Sequence, residues 1–317
     1  IIDCDAHNRL AIVETPMPHL ALSCFSPFQA ALDGERLTRF HSAKAQALLA
    51  YLALEADQPH PREKVATLLW PLDSEVSARG SLRQTLYELR KLLGDRDDLD
   101  SPFLLVTRQT VQFNRESHHT LDVTEFLSAI RDGKLEQAAA LYRGELLAGL
   151  SCESEPFEEW LRQSRARFHN LAVDVCFKLT DQVLKQGILS QARTYAQRQL
   201  ALEPWREEAH RQLMTALALS GERSAGLAQY ETCRRVLADE LGVEPDEETT
   251  ALCAQIKAGK LRGPVPFPSL PSPTKRPRQL PSAGDVAAEA SPHHNLPAQP
   301  TPFIGRQTDL VQIPARL

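Results

Sequence analysis

Apolar positions change period twice along the chain, and the two changes divide it. Residues 1–19 show no clear period and read as a lead-in. Leu20 to Leu32 is a β-rich stretch, and Asp33-Gly34 is a turn signal that lets Glu35–Phe40 pair back as a second strand. From Ser42, a plausible N-cap, the period becomes helical: Ala43, Ala47, Leu48, Ala50, Tyr51 and Leu54 fall on one face. Gln58-Pro59-His60-Pro61 breaks that helix. Pro61 suits the start of a second one, Arg62–Trp70, whose apolar face is Val65, Leu68 and Leu69 and which Pro71 ends. A third helix runs from about Glu75 to Leu93 with Ala78, Leu82, Leu86, Leu89 and Leu93 on one stripe, and Gly94 stops it. Phe103–Thr107 and Thr110–Asn114, separated by Arg108-Gln109, read as a β-hairpin.

From about Thr124 every period is helical, with helices expected near 124–131, 134–148, 156–185, 188–202, 205–220, 223–240 and 246–259. Gly133, Gly187 and Gly221 each open a similar phrase, GKLEQA, GILSQA and GERSAG. Gly187 and Gly221 are 34 residues apart, the tetratricopeptide period, and Ala192, Ala196, Ala225 and Ala228 are small residues suited to close helix packing. The fold class is therefore mainly α: an N-terminal winged helix-turn-helix (α+β) over residues 20–118, then an all-α tetratricopeptide-like repeat domain over 120–259.

Composition changes this picture at the far end. Of 22 prolines, 11 fall between Pro264 and Pro302, and Phe267 is the only aromatic in that stretch. Such a segment buries too little apolar surface to offset its ordering entropy, so 260–300 reads as a linker. The six cysteines form no CxxC pair, which argues against a zinc knuckle and fits buried free thiols in a reducing, cytoplasmic compartment. No run of 18 apolar residues exists, so no membrane span is expected. The chain starts Ile1-Ile2 without methionine, as a fragment or processed product would.

A net charge of −5 gives no global reason to expect nucleic-acid binding, and residues 61–118 hold nine basic and nine acidic side chains. The reason must be local. The order strands, helix, helix, basic helix, hairpin is that of a winged helix-turn-helix, whose third helix enters the major groove. Glu75–Leu93 carries a net +2. Off its apolar stripe lie Arg79, Arg83, Gln84, Tyr87, Arg90 and Lys91. Arginine can fork onto guanine and glutamine onto adenine, and Tyr87 can pack on sugar or a thymine methyl. Lys44 and Arg62 stand near helix starts, where phosphates meet free backbone N–H groups. Arg108 at the hairpin tip can enter a narrow minor groove. These nine residues are the candidate DNA-binding set.

Other chemistry finds little support. His118-His119 and His293-His294 lack paired cysteines or carboxylates at ligand spacing, so no metal is expected. Asp97-Asp98 and Glu247-Glu248 read as solvated turn or helix-start carboxylates. Ser81 and Ser164 have no nucleophile-elbow context. Trp160 and Trp205 read as core or inter-repeat packing. No enzyme activity and no cofactor is expected.

Residues 42–93, including SAKAQALLAYLALEAD, REKVATLLW and SLRQTLYELRKLLG, resemble the OmpR-type winged-helix domain of the antibiotic-regulatory-protein family of bacterial activators, and FLLVTRQTVQFN fits the family's wing. LDVTEFLSAI, GELLAGL, FEEW and the run from ALEPWREEAHRQL to DELGVEPDEETTAL resemble the helical bacterial transcriptional activator domain. The resemblance is colinear over about residues 20–258. It implies an activator that binds double-stranded promoter DNA and contacts RNA polymerase, with a homodimer as a further expectation. It assigns recognition roles to Arg79, Arg83, Gln84, Tyr87 and Lys91. One departure stands out: OmpR-type readers carry more positive charge in mid-helix, where this chain has Tyr87-Glu88. Residues 301–317 open with PFIGR, which resembles the start of an NB-ARC or AAA-like ATPase, although no GxxxxGK[ST] phosphate loop occurs. The expectation is a regulator cut short where such an ATPase begins. A protein-interaction scaffold and the input end of a signalling ATPase are the competing readings.

Overall fold

The computed structural model describes residues 18–95 and 101–261. The expected lead-in up to residue 17, the linker and the PFIGR segment, like Asp97-Asp98 and His293-His294, lie outside the described residues.

The β-rich stretch is two strands, β1 (Leu20–Ser23) and β2 (Gln29–Leu32), paired antiparallel with Leu20 opposite Leu32. The break between them has a cause. Pro27 has no N–H to give a ladder, and the N–H groups of Cys24 and Phe25 are taken by the buried carboxylate of Asp122 at 2.8–3.0 Å. Asp33 and Gly34 both adopt left-handed φ, 52° and 84°, as a tight hairpin turn requires. The returning strand β3 covers only Glu35–Arg36, far short of Phe40. Phe40 leaves the ladder and packs on Phe28 with ring centroids 5.9 Å apart.

Helix α1 (Ala43–Leu54) is capped by the Ser42 hydroxyl, which accepts from Ala45 N–H. Every residue from Ala47 to Ala53 is buried, so α1 is the central rod of the N-terminal half. A two-residue strand β4 (His60–Pro61) leads into α2 (Arg62–Leu69). Helix α3 (Glu75–Leu93) is capped by Ser74 and closed by Gly94, and it buries the expected stripe Ala78, Leu82, Leu86, Leu89 and Leu93. The hairpin is β5 (Leu104–Val106) and β6 (Thr110–Phe113), with β4 on the other side of β6. Asp95 anchors it, accepting from Phe103 N–H at 2.8 Å and Leu104 N–H at 2.9 Å.

Periodicity gave no hint of β4 or of β7 (His119–Leu121), because two or three residues carry no readable period. Strand β7 pairs parallel with β1, making the sheet order β3-β2-β1-β7.

The helical region comprises α4 (Asp122–Arg131), α5 (Leu135–Leu141), α6 (Glu155–Lys185), α7 (Leu189–Leu202), α8 (Glu207–Leu219), α9 (Arg223–Leu241) and α10 (Glu247–Lys257). The helix expected to reach residue 148 stops at Leu141. The chain instead folds back on the end of β1, where Leu147 N–H donates to Cys24 C=O at 2.7 Å and Ala148 N–H to Ser26 C=O at 3.1 Å. Arg165 closes this segment by donating to the carbonyls of Leu146 and Leu147 at 2.9 and 2.8 Å.

The repeated glycine phrases mark the turns between paired helices. Gly187 and Gly221 have φ of 75° and 85°, a conformation costly for any side chain. Each lets the next N–H reach back five residues, Ile188 to Val183 and Glu222 to Leu217, both at 2.9 Å. Ala192 and Ala196 are fully buried as expected. Ala228 is exposed; the close approach on α9 is made by Gly226, where a β-carbon would stand 3.4 Å from the Met214 carbonyl. One apolar core runs without interruption from Leu20 to Leu179, through the sheet, α1–α3 and α4–α6. Beyond it the packing divides into three small clusters.

Candidate nucleic-acid interface

Three elements converge on one open cleft of about 660 Å³: the first turn of α2, the N-terminal half of α3 and the tip of the β5–β6 hairpin. It is lined by Arg62, Glu63, Arg79, Arg83, Arg108 and Gln109, with Leu82 and Pro61 as its apolar remainder. Arg62 fastens the arrangement. Its backbone N–H donates to Gln109 C=O at 2.9 Å, and its guanidinium donates to Thr107 C=O at 3.0 Å. Partial burial, and then the neighbouring Arg83, lower the pKa of Arg62 from its ordinary value. Two like charges facing one space attract an anion into it.

The hairpin tip is itself ordered. Thr107 Oγ1 accepts from the N–H groups of Gln109 and Thr110, so the turn carrying exposed Arg108 is held from within. On α3, the residues Val76, Gly80, Arg83, Gln84, Tyr87 and Lys91 form a continuous exposed stripe opposite the buried one. Tyr87 is 62% exposed. Gln84 donates to Glu88 at 2.9 Å.

The nine candidate residues divide. Arg62, Arg79, Arg83 and Arg108 line the cleft; Gln84, Tyr87 and Lys91 continue from it along α3. Arg90 is half-buried beside Asp95, whose carboxylate it helps keep charged against burial. Lys44 lies elsewhere: its ammonium sits 5.4 Å from the Trp70 ring centre and acts on the Cys152 thiol, at the junction with the helical region. Sequence reasoning missed Glu63, although it follows Arg62 directly, because its distance from Arg79 depends on the angle between α2 and α3. It also missed Leu72 and Val76, 94% and 83% exposed on and just after the α2–α3 turn.

The winged helix is joined to the helical region by specific bonds. Trp160 on α6 stacks edge-on against Tyr51 at 4.9 Å and donates its indole N–H to Glu55 at 2.9 Å. Ser154 donates to Leu68 C=O at 2.5 Å. Trp160 thus packs as expected, whereas Trp205 is 43% exposed and only partly so. His119 lies in β7 against Phe113, and no group of three metal-ligating side chains occurs among the described residues.

A basic helix and a wing framing one cleft, fixed to a helical-repeat module, have the architecture of a winged-helix protein. Comparisons with known proteins agree. Residues 111–257 match the bacterial transcriptional activator domain. The chain is 27% identical over 234 residues to the regulatory protein AfsR of Streptomyces coelicolor, an alignment covering 71% of this chain and 23% of AfsR. It is 27% identical over 256 residues to the transcriptional regulatory protein EmbR of Mycobacterium tuberculosis, covering 75% of this chain and 63% of EmbR. It is 24% identical to the transcriptional regulatory protein MoaR1 of the same organism, covering 79% and 83%. A solved structure of M. tuberculosis EmbR in complex with a low affinity phosphopeptide has the same fold, with a TM-score of 0.58 and 24% identity over 78% of this chain and 67% of that one. Over residues 111–257 the chain thus carries the helical module named for bacterial transcriptional activators, and along most of its length it is similar to proteins named as regulators. It spans under a quarter of AfsR and under two thirds of EmbR. These relatives are named as regulatory proteins, and no described helix is long and apolar enough to cross a membrane.

Proposed function

We propose that residues 20–118 and the strand that follows them bind double-stranded promoter DNA, with α3 in the major groove and the wing in the adjacent minor groove. The observation that carries this is the cleft itself: arginines from three separate elements face one open space beside the exposed face of α3. Arg83 and Gln84 read base edges, Tyr87 packs on sugar or a thymine methyl, and Arg108 enters the minor groove. Arg62 and Lys91 meet phosphates. The helical region, residues 120–259, supplies the surface for RNA polymerase or for a second copy of the chain. Lys44 belongs to its junction with the winged helix rather than to the DNA face.

The role is binding rather than catalysis, and it needs no cofactor. A cytoplasmic location follows from that role and is supported by five buried, unpaired cysteines among the described residues.

The test is duplex binding by the full chain across a salt series, on a sequence obtained by binding-site selection. Arg83→Ala should weaken the selected site by about 1–3 kcal/mol and relax preference at one base pair. Lys91→Ala should weaken all duplexes alike and flatten the slope of log K against log salt by about 0.9. A chain that shows no salt-dependent duplex binding at low ionic strength ends this reading.

A further inference from the structure

The cleft contains one side chain whose charge opposes its proposed use. Glu63 stands among the arginines, and its Oε1 lies 2.5 Å from Nη2 of Arg79. The same Nη2 also donates to Glu75, four residues earlier on α3. Arg79 is therefore shared between two carboxylates from two different helices. Neither is needed for folding: Glu63 and Glu75 are 72% and 73% exposed, and Arg79 is 46% exposed. Exposed pairs of this kind contribute little to stability. Their effect lies in the field they present. Glu63, Arg79 and Glu75 together sum to −1 beside a cleft that is also lined by Arg62, Arg83 and Arg108.

We infer that Glu63 and Glu75 form a carboxylate clamp that withholds Arg79 from DNA and sets specificity by suppressing sequence-independent binding. The inference rests on the DNA-binding reading and deepens it. Phosphate contacts are the sequence-independent part of the affinity, and each arginine released to the backbone adds one. A clamped Arg79 adds none, and the surplus carboxylate repels the backbone from the α2–α3 corner. Binding then depends more on the contacts that Arg83, Gln84 and Tyr87 make with base edges. A protein of net charge −5 gains discrimination this way at the expense of raw affinity.

The clamp separates Arg79 from an ordinary recognition-helix arginine, whose loss would change base preference. The experiment compares the full chain with Glu63→Gln, Glu75→Gln and Arg79→Ala, measuring affinity for a selected duplex and a random duplex over a salt series. Both glutamine variants should bind the random duplex about fivefold to tenfold more tightly at low salt, with a salt slope steeper by about 0.9 for the added phosphate contact. Their ratio of selected to random affinity should fall. Arg79→Ala leaves two unpaired carboxylates and should weaken both duplexes equally without changing base preference. Unchanged random-duplex affinity in both glutamine variants overturns the clamp while leaving DNA binding intact. So does loss of preference at a single base pair in Arg79→Ala. If neither the wild-type chain nor any variant binds a duplex, the clamp and the DNA-binding reading fall together. If only the glutamine variants bind, the clamp stands as a gate on the wild-type protein.

Discussion

The two ends of the described region, β1–α6 and α7–α10, are held together differently. From β1 to α6 a single apolar core runs unbroken, and five of its phenylalanines are fully buried. Phe25, Phe126, Tyr142 and Phe168 form one aromatic nest with centroid separations of 5.0–6.5 Å. Past Leu179 the buried residues are mostly alanine, leucine and cysteine in clusters of three, and polar side chains enter between the helices. Gln199 is fully buried and donates to Thr180 and Gln212 at 3.0 and 2.8 Å. The difference separates two tasks. A cleft assembled from three elements needs a stiff floor beneath it, while stacked helix pairs need only nearest-neighbour contact. Fewer buried apolar contacts per element lead to the expectation that α7–α10 opens at lower free energy than the rest.

The largest expected effect breaks this comparison if it fails. Phe25→Ala should cost about 3–5 kcal/mol and lower the unfolding midpoint of the whole chain. Leu217→Ala, in a three-residue cluster, should fall near the low end of that substitution class, about 2 kcal/mol. Hydrogen exchange should place its loss of protection in α8–α10 alone; equal spread of both losses would mean the two regions unfold as one.

Next in size is the joint. Trp160→Phe keeps a ring against Tyr51 but removes the N–H donor to Glu55. The expected loss is about 1.5–3 kcal/mol, as for a hydrogen bond to a charged group, read as a lower denaturant midpoint with an unchanged slope.

The smallest effect is a pH dependence confined to the repeats. His210 is buried, and burial lowers its pKa from the ordinary 6.5. Its Nε2 lies 2.8 Å from the Pro204 carbonyl, a bond that requires the proton there, so Nδ1 accepts from Gln229 at 2.7 Å. Neutral imidazole satisfies both partners and imidazolium does not. A depressed pKa means that the unfolded chain binds the extra proton first. The stabilisation from His210 is present above about pH 6.5 and is lost as pH falls from there through the lowered folded value. His210→Gln should show a smaller loss of melting temperature than wild type between about pH 7 and pH 5.

Where local chemistry decides, the sequence was readable. The stripe and both ends of α3 follow from leucine spacing, Ser74 and Gly94; the repeat turns follow from glycines that only a left-handed φ explains. The arginines lining the cleft were identifiable by type and helix position. What stayed hidden depends on residues far apart in the chain. Glu63 meets Arg79 across 16 residues, Asp122 reaches Cys24 across 98, and Arg165 ends the fold-back after α5. Lys44 opens a helix, as a phosphate ligand would, but its ammonium sits over the Trp70 ring near Cys152, a neighbourhood set by residues distant in the chain.

Strand β7 has a consequence for the order in which the protein can be made. It joins β1 through a parallel register set by residues about a hundred positions apart, and the next residue, Asp122, holds the end of β1. While the nascent chain grows at roughly 5–20 residues per second, β1 keeps an open edge until Leu121 leaves the ribosome. Synthesis must run past the whole wing before that edge is covered. A protein cut at residue 118 would keep every DNA-facing side chain and expose the strand beneath them to pairing with other chains.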